Sequence, residues 1–278
     1  MKNKKIIEKT IHQDIFYPSN QEKIYELINE NEIKYKSEIK SDKKVFLLPH
    51  ASYEFILPLL VNTFTSINDS FDKIVIIAPS HLNKIYTDLD VNLFTPEYDA
   101  IETPLGIIDF DKEIIDKYFK EEMKCNTYFE EESSFEQLYL LIRHYFSDKK
   151  VIPICAIVEN SNQSKNFSSL LNNIIDEKTL LLVSANACAY QKSDSAYKKT
   201  NSFIKALNSG ERLLQLQKKN IIDSCACGII DSIAKTKIYK NLCWDINLVE
   251  IEKEISKEII EFDSTNKCVY HVSASIKD

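Results

Sequence analysis

Residues 73–81 read KIVIIAPSH. The apolar, mostly β-branched run from Ile74 to Ala78 has no helical period, which marks a strand buried on both faces. Pro79 closes it, since proline cannot donate to a central ladder, and Ser80 and His81 follow at its carboxyl end. Outward from here the pattern recurs. KVFLLP at 44–49 ends in His50, KVIPICAIV fills 150–158, and TLLLVSAN at 179–186 runs out just before Cys188. Between and around these runs, residues 21–29, 53–65, 112–119, 134–146, 162–175, 193–208 and 221–235 carry helical spacing. Such alternation predicts an α/β fold with a central, mostly parallel sheet flanked by helices on both faces. Residues 244–255 and 267–276 alternate in the manner of edge or antiparallel strands. The polar stretches 160–166 and 191–195 read as connectors, and neither a repeat nor a composition break divides the chain, so a single domain over residues 1–278 is expected.

Composition narrows the function classes. A hydrophobic content of 44% over 278 residues can build a large core. The net charge is −7, and basic residues cluster no further than pairs such as Lys4-Lys5, which argues against a nucleic-acid partner. The basic amino terminus has no apolar segment behind it, and apolar runs such as 55–61 are far below spanning length, so a cytoplasmic chain without a membrane partner is expected. Glycine occurs only at 106, 210 and 228, which excludes the glycine-rich phosphate loops and with them a nucleotide cofactor of those kinds. Seven scattered cysteines, several in apolar runs, suit reduced thiols. Cys225 and Cys227 are too closely spaced for a zinc knuckle.

In sheets of this kind ligand sites form past the carboxyl ends of the strands. That rule selects His50, His81 and the neighbourhood of Cys188. Two imidazoles at strand ends either cap the strands or converge on one metal ion.

A set of short motifs decides between these. Phe16-Tyr17-Pro18, Pro49-His50-Ala51-Ser52-Tyr53, Ala78-Pro79-Ser80-His81 and Thr103-Pro104-Leu105-Gly106 with Asp109 stand in that order. They are followed by Glu132-Ser133-Ser134-Phe135-Glu136, Ser184-Ala185-Asn186-Ala187-Cys188-Ala189-Tyr190 and Cys227-Gly228. In order and type the series resembles the Memo family, which includes a microbial branch described as component B of a system with a radical-SAM protein. The resemblance implies a fold similar to the catalytic subunit of class III extradiol dioxygenases. It also implies a metal pocket in which His50, His81 and Cys227 are ligands. Cys225 takes the place of Cys227 if the cysteine-glycine motif, which the family continues with two variable residues and proline-isoleucine, slips by two. A thiolate beside two imidazoles suits copper, zinc or ferrous iron.

The departures bear on catalysis. Ser133 and Ala189 stand where the family has histidines, Asn186 where it has an aspartate, and Ser52 where it has a glycine. An amide exchanges no proton near neutrality and an alanine offers none, so general acid–base work has no candidate there. His271, beside Tyr270 in the last strand, reads first as a core or surface residue, and in the pocket it would replace a lost imidazole. Glu130-Glu131-Glu132 reads as a solvated turn, Glu136 as a cap or a pocket residue, and His144 as surface. Cys188 and Cys225 read as small buried apolar residues unless they add thiolates.

The expected function is therefore a metal- or ligand-binding protein without catalysis, acting through a partner or by holding a redox-active ion, with a protein partner or a small-molecule ligand. A metal-dependent oxidoreductase and a scaffold with a vestigial site are the alternatives. Two structural expectations follow. The strands ending in His50 and His81 should lie side by side, and Cys227 should sit near a helix start with its thiol more acidic than usual.

Overall fold

A computed structural model describes residues 5–82, 92–188, 190–240, 242–246, 255–260 and 267–277. Its main sheet has seven strands in the order β10-β13-β2-β8-β3-β7-β4. Its centre consists of the four apolar runs: β2 (Val45–Leu48), β8 (Thr179–Ser184), β3 (Lys73–Pro79) and β7 (Lys150–Ala156). These pair in parallel, with Val45 opposite Leu181, Ile74 opposite Leu180 and Ile76 opposite Pro153. At the flanks β13 (Ala274–Ile276) pairs antiparallel with β2, β10 (Trp244–Ile246) with β13, and β4 (Leu93–Phe94) with β7. The sheet is therefore mixed rather than mostly parallel. The edge additions are short, and a short antiparallel strand needs no helical crossover to reach its place. Of the alternating segment at 244–255, Trp244–Ile246 form β10 and Ile255 begins a further strand, and residues 247–254 lie outside the described residues.

A second correction matters more for the site. The strands ending in His50 and His81 are not neighbours, because β8 lies between β2 and β3. The two histidines thus reach toward each other across the end of a third strand, and that strand's terminal Ser184 lies between them in the order of the sheet.

Two smaller sheets surround this one. β1 (Ile7–Lys9), β5 (Ala100–Thr103) and β6 (Gly106–Asp109) form one. Its β5–β6 turn uses Thr103, whose Oγ1 accepts from Leu105 N at 3.1 Å and donates to Gly106 O at 2.8 Å. Gly106 sits at φ +120°, a conformation side chains oppose. The other sheet is antiparallel and joins β11 (Ile255–Ile260), β12 (Lys267–Val272) and β9 (Gln191–Lys192).

Helices flank the main sheet in two groups. α1 (Gln21–Tyr35) packs on α2 (Tyr53–Ser66), and α2 on α5 (Glu136–Tyr145). α3 (Lys112–Tyr118) packs on α6 (Ser161–Ile174), which meets α9 (Cys227–Ile233), which in turn meets α8 (Leu213–Lys218). Short α4 (Thr127–Glu130) and long α7 (Ser193–Ser209) complete the set. Their ends follow local chemistry. Asn20, Asp111 and Asn160 accept first-turn amides of α1, α3 and α6, and Gly210 ends α7 in the left-handed region at φ +66°. One apolar cluster runs from Tyr17 to Ala274 and includes Phe46, Ile56, Phe64, Phe167 and Trp244. Each such side chain contributes about 1.5–3 kcal/mol on burial.

Residues 221–235 do not form one helix. Residues 221–226 are non-helical, with Asp223 bridged to Cys188, and α9 begins only at Cys227. The Ser224 hydroxyl donates to Asn186 O at 2.7 Å and accepts from Ala226 N at 3.4 Å, and the second, local bond takes a backbone amide that a helix would use.

Candidate metal centre

The three strand ends β2, β8 and β3, and the turn before α9, bring His50, His81 and Cys225 together. One potential ligand atom from each lies within 4.8 Å of the others. The imidazole centroids are 5.0 Å apart with an interplanar angle of 78°, and Cys225 Sγ is 3.9 Å from His50 Nε2. Cys227, the thiol the resemblance implies, lies outside this group. It begins α9 in the core at 1% exposure, whereas Cys225, two residues earlier, is exposed. A signal for this was present in the motif. Moved by two, Cys225 and Ala226 fall on the family's cysteine-glycine, and Ile230 falls on its isoleucine.

Gly228 shows why the helix is set as it is. A Cβ there would meet Val158 O at 2.0 Å, so α9 packs directly against the chain leaving β7. This close approach buries Cys227 and leaves the preceding turn, with Cys225, at the strand ends.

Each ligand candidate is held by a second group. His50 Nδ1 lies 2.9 Å from Ser184 Oγ, whose own hydroxyl donates to Ser134 O at 3.2 Å. With its only proton committed, Ser184 accepts from His50, so Nδ1 carries a hydrogen and Nε2 is the nitrogen that faces Cys225. His81 Nδ1 lies 2.9 and 3.1 Å from the two oxygens of Glu132, and Glu132 also accepts from His81 N at 2.9 Å. This again leaves Nε2 for the shared space. Cys225 Sγ accepts from the Asn186 backbone N–H at 3.4 Å.

Glu132 is therefore no solvated turn residue. It is 2% exposed, and its carboxylate also caps Ser134 N at 3.2 Å. Burial alone would raise its pKa, but the hydrogen bond and charge of His81 outweigh it and hold the carboxyl below the usual range. Sequence reasoning missed this residue because a triple glutamate looks the same whether a later turn buries one member or none.

The protons in the site respond to this clustering. Hydrogen bonds that its ring donates to Cys225 and then Glu132 raise His81 to about 10. Although Cys225 is exposed as a residue, desolvation of its sulfur among the imidazoles opposes ionisation, but the charge and hydrogen bond of His50, with those of His81, lower its thiol to about 6. Cys227 behaves oppositely to expectation. Burial, and then the neighbouring charge of Cys225, push its thiol up, and the start of a seven-residue helix does not compensate.

The remaining candidates are placed as follows. Asn186 bridges the backbone of His50, accepting from His50 N at 3.2 Å and donating to His50 O at 2.9 Å. His271 is fully buried in β12, with Nδ1 3.0 Å from Asn186 Oδ1, so it stands behind Asn186 and outside the ligand group. Ser133 begins the turn that follows Glu132, and Ala189 lies outside the described residues. Cys188 is buried, as its apolar reading expects. Glu136 faces away from the site and binds the amino-terminal segment, accepting from Ile11 N at 2.9 Å, His12 N at 3.0 Å and the Tyr17 hydroxyl. Half-buried His144 lies 3.9 Å from Glu32. No described helix is long and apolar enough to cross a membrane.

Comparison with known proteins agrees with the motif series. A family model described as "Memo-like protein" matches residues 10–253. The chain is 26% identical over 227 residues to a "MEMO1 family protein" of Aquifex aeolicus (strain VF5), covering 78% of this chain and 80% of the relative. A further protein of that name from Saccharolobus islandicus (strain Y.G.57.14) is 24% identical over 197 residues, covering 66% of this chain and 64% of the relative.

Proposed function

The chain belongs to the Memo family, and from that premise we propose that it is a metal-binding, non-catalytic member in which His50, His81 and Cys225 hold a transition ion. The observation that carries this reading is the convergence of three ligand atoms, each backed by its own hydrogen-bonding partner. Zinc-like bond lengths at tetrahedral angles place a sulfur and a nitrogen ligand about 3.6 Å apart. The 3.9 Å between Cys225 Sγ and His50 Nε2 is within a small side-chain rotation of that value. Two neutral imidazoles and a thiolate form a borderline-soft set that fits copper, zinc or ferrous iron, with a further position open to a small-molecule ligand or a partner's side chain. Binding would replace the protons that His81 and Cys225 otherwise share with their neighbours.

Among the described residues, the positions where the resemblance implies an acid–base group offer none beside the three ligand candidates, which supports the non-catalytic half. Asn186 is an amide committed to the His50 backbone, and His271 sits behind it in the core. In a dioxygenase-like pocket a base must take a phenolic proton and an acid must return one, steps worth roughly 10²–10⁴-fold in rate.

Metal analysis of protein purified without an affinity tag tests the proposal. One ion per chain is expected, lost in His81→Ala and Cys225→Ser and kept in Cys227→Ser. Loss with Cys227→Ser and retention with Cys225→Ser would reverse the ligand assignment. Sustained ring opening of a catechol by the iron-reconstituted protein, abolished by His50→Ala, would overturn the non-catalytic reading.

A further inference from the structure

We infer that Asn186 and His271 form a positioning pair that sets the geometry of the ligand group, and that the aspartate-to-asparagine departure at this place is a working part of this chain's site. The inference rests on the metal-binding reading for its consequence, although the clamp itself is defined by hydrogen bonds alone.

Asn186 touches two of the three ligand residues. Its backbone N–H donates to Cys225 Sγ at 3.4 Å. Its side chain takes His50 N–H at 3.2 Å and gives to His50 O at 2.9 Å, a two-point grip on one peptide segment. The same residue is tied to the cysteine turn a second time, because its carbonyl accepts from Ser224 Oγ at 2.7 Å. One short segment after β8 thus fixes both the histidine at the end of β2 and the turn that carries the thiol.

An amide makes this grip where an ionised carboxylate cannot. The group facing His50 O must be a donor, and the group facing His50 N must be an acceptor. An ionised carboxylate would set an oxygen against a carbonyl oxygen at the 2.9 Å contact. The fixed polarity of the His50 N–H and C=O sets which amide atom faces which, and His271 braces that arrangement from behind. Its Nδ1 lies 3.0 Å from Asn186 Oδ1, the atom that already accepts from His50, so Nδ1 donates and adds a second bond that holds the oxygen in place. His271 is fully buried, and its strand is paired with β11 across Ser256, so the donor is fixed in position before any ligand arrives. A buried imidazole that orients an amide is a positioning residue, which separates it from the alternative role of substitute acid or base.

The test uses Co(II) as the probe, with Asn186→Asp, His271→Leu and His271→Asn. The asparagine at 271 retains a donor near the Nδ1 position and should restore what leucine loses. Asn186→Asp and His271→Leu are each expected to weaken Co(II) binding about 10- to 100-fold and to shift the thiolate-to-cobalt charge-transfer band. His271→Asn should bind and absorb as the original protein does, and the double variant Asn186→Asp/His271→Leu should be little worse than Asn186→Asp alone.

A second readout needs no metal. Amide hydrogen exchange at His50, protected by Asn186 Oδ1, should quicken about fivefold or more in Asn186→Asp and His271→Leu and return in His271→Asn. If the unaltered protein takes up no Co(II) while this exchange pattern holds, the metal reading falls and the clamp stands. Unchanged His50 exchange in both Asn186→Asp and His271→Leu would overturn the clamp. So would a failure of His271→Asn to restore it.

Discussion

Two buried glutamates, four positions apart in the chain, each pair with a histidine, and they do different work. Glu132 and Glu136 are 2% and 3% exposed. Glu132 accepts from the backbone and ring of His81, and Glu136 accepts from the backbone of His12 and lies 3.1 Å from its ring. In sequence they belong to one turn-and-helix segment. The difference lies in what the other imidazole nitrogen meets. For His81 it is a space shared with His50 and Cys225, whereas Glu136 gathers Ile11, His12 and Tyr17 and thereby ties the amino-terminal segment to α5. A buried carboxylate–histidine pair is thus not in itself a sign of a site. Convergence of further ligands is.

The largest effect that would sharpen this contrast is on stability. Glu136→Ala strands two backbone amides and a buried tyrosine hydroxyl, and should cost about 3 kcal/mol in urea unfolding with metal content per folded chain unchanged. A loss of metal in the folded variant would erase the distinction between the two pairs. Glu132→Gln should do the reverse. It keeps the shape and one acceptor, so the expected cost in stability is about 1 kcal/mol, while metal affinity falls about 10- to 100-fold. Titration with a chromophoric chelator reads this, and an unchanged affinity would remove Glu132 from the site.

His12→Ala should cost about 1 kcal/mol or less and leave metal affinity untouched, because the backbone amide that Glu136 accepts remains. Last comes pH. The Cys225 thiol is lowered from 9.0 to about 6 in the folded chain, so its contribution to stability is present above the unfolded value and is lost as pH falls through about 6. His81 is raised from 6.5 to about 10, so its contribution is full below 6.5 and is lost as pH rises through about 10. In metal-free protein, ultraviolet thiolate absorbance, taken as a difference from Cys225→Ser, should disappear on acidification through about pH 6. In His50→Ala that midpoint should move toward 9.0. A midpoint already near 9.0 in the unaltered protein would remove the electrostatic coupling from the site.

Much of this was legible in the chain. The runs at 44–49, 73–79, 150–158 and 179–186 became the four parallel strands, because a short continuous apolar run bounded by polar residues is buried best as a strand covered on both faces. The motif order led to the family, and the strand-end rule led to His50 and His81. What the chain did not display was the order of strands, since parallel pairing is decided between segments far apart and β8, late in sequence, inserts between β2 and β3. The antiparallel edge formed by 244–246 and 274–276 was signalled by the alternation of those segments, whereas the two-residue edge strand Leu93–Phe94 was too short to show.

The choice between Cys225 and Cys227 lies at the boundary of the two kinds of information. Sequence by itself determined that Cys225, Cys227 and Gly228 stand close together in an apolar stretch with helical spacing. Tertiary structure alone decided which thiol faces the histidines. Gly228 must pass close to Val158 O, which turns Cys227 into the core and leaves Cys225 in the turn beside His50. The same holds for Glu132, Asn186 and His271. Their residue types were plain, but a carboxylate, an amide and an imidazole acquire roles only from the donors and acceptors that folding sets within about 3 Å of them.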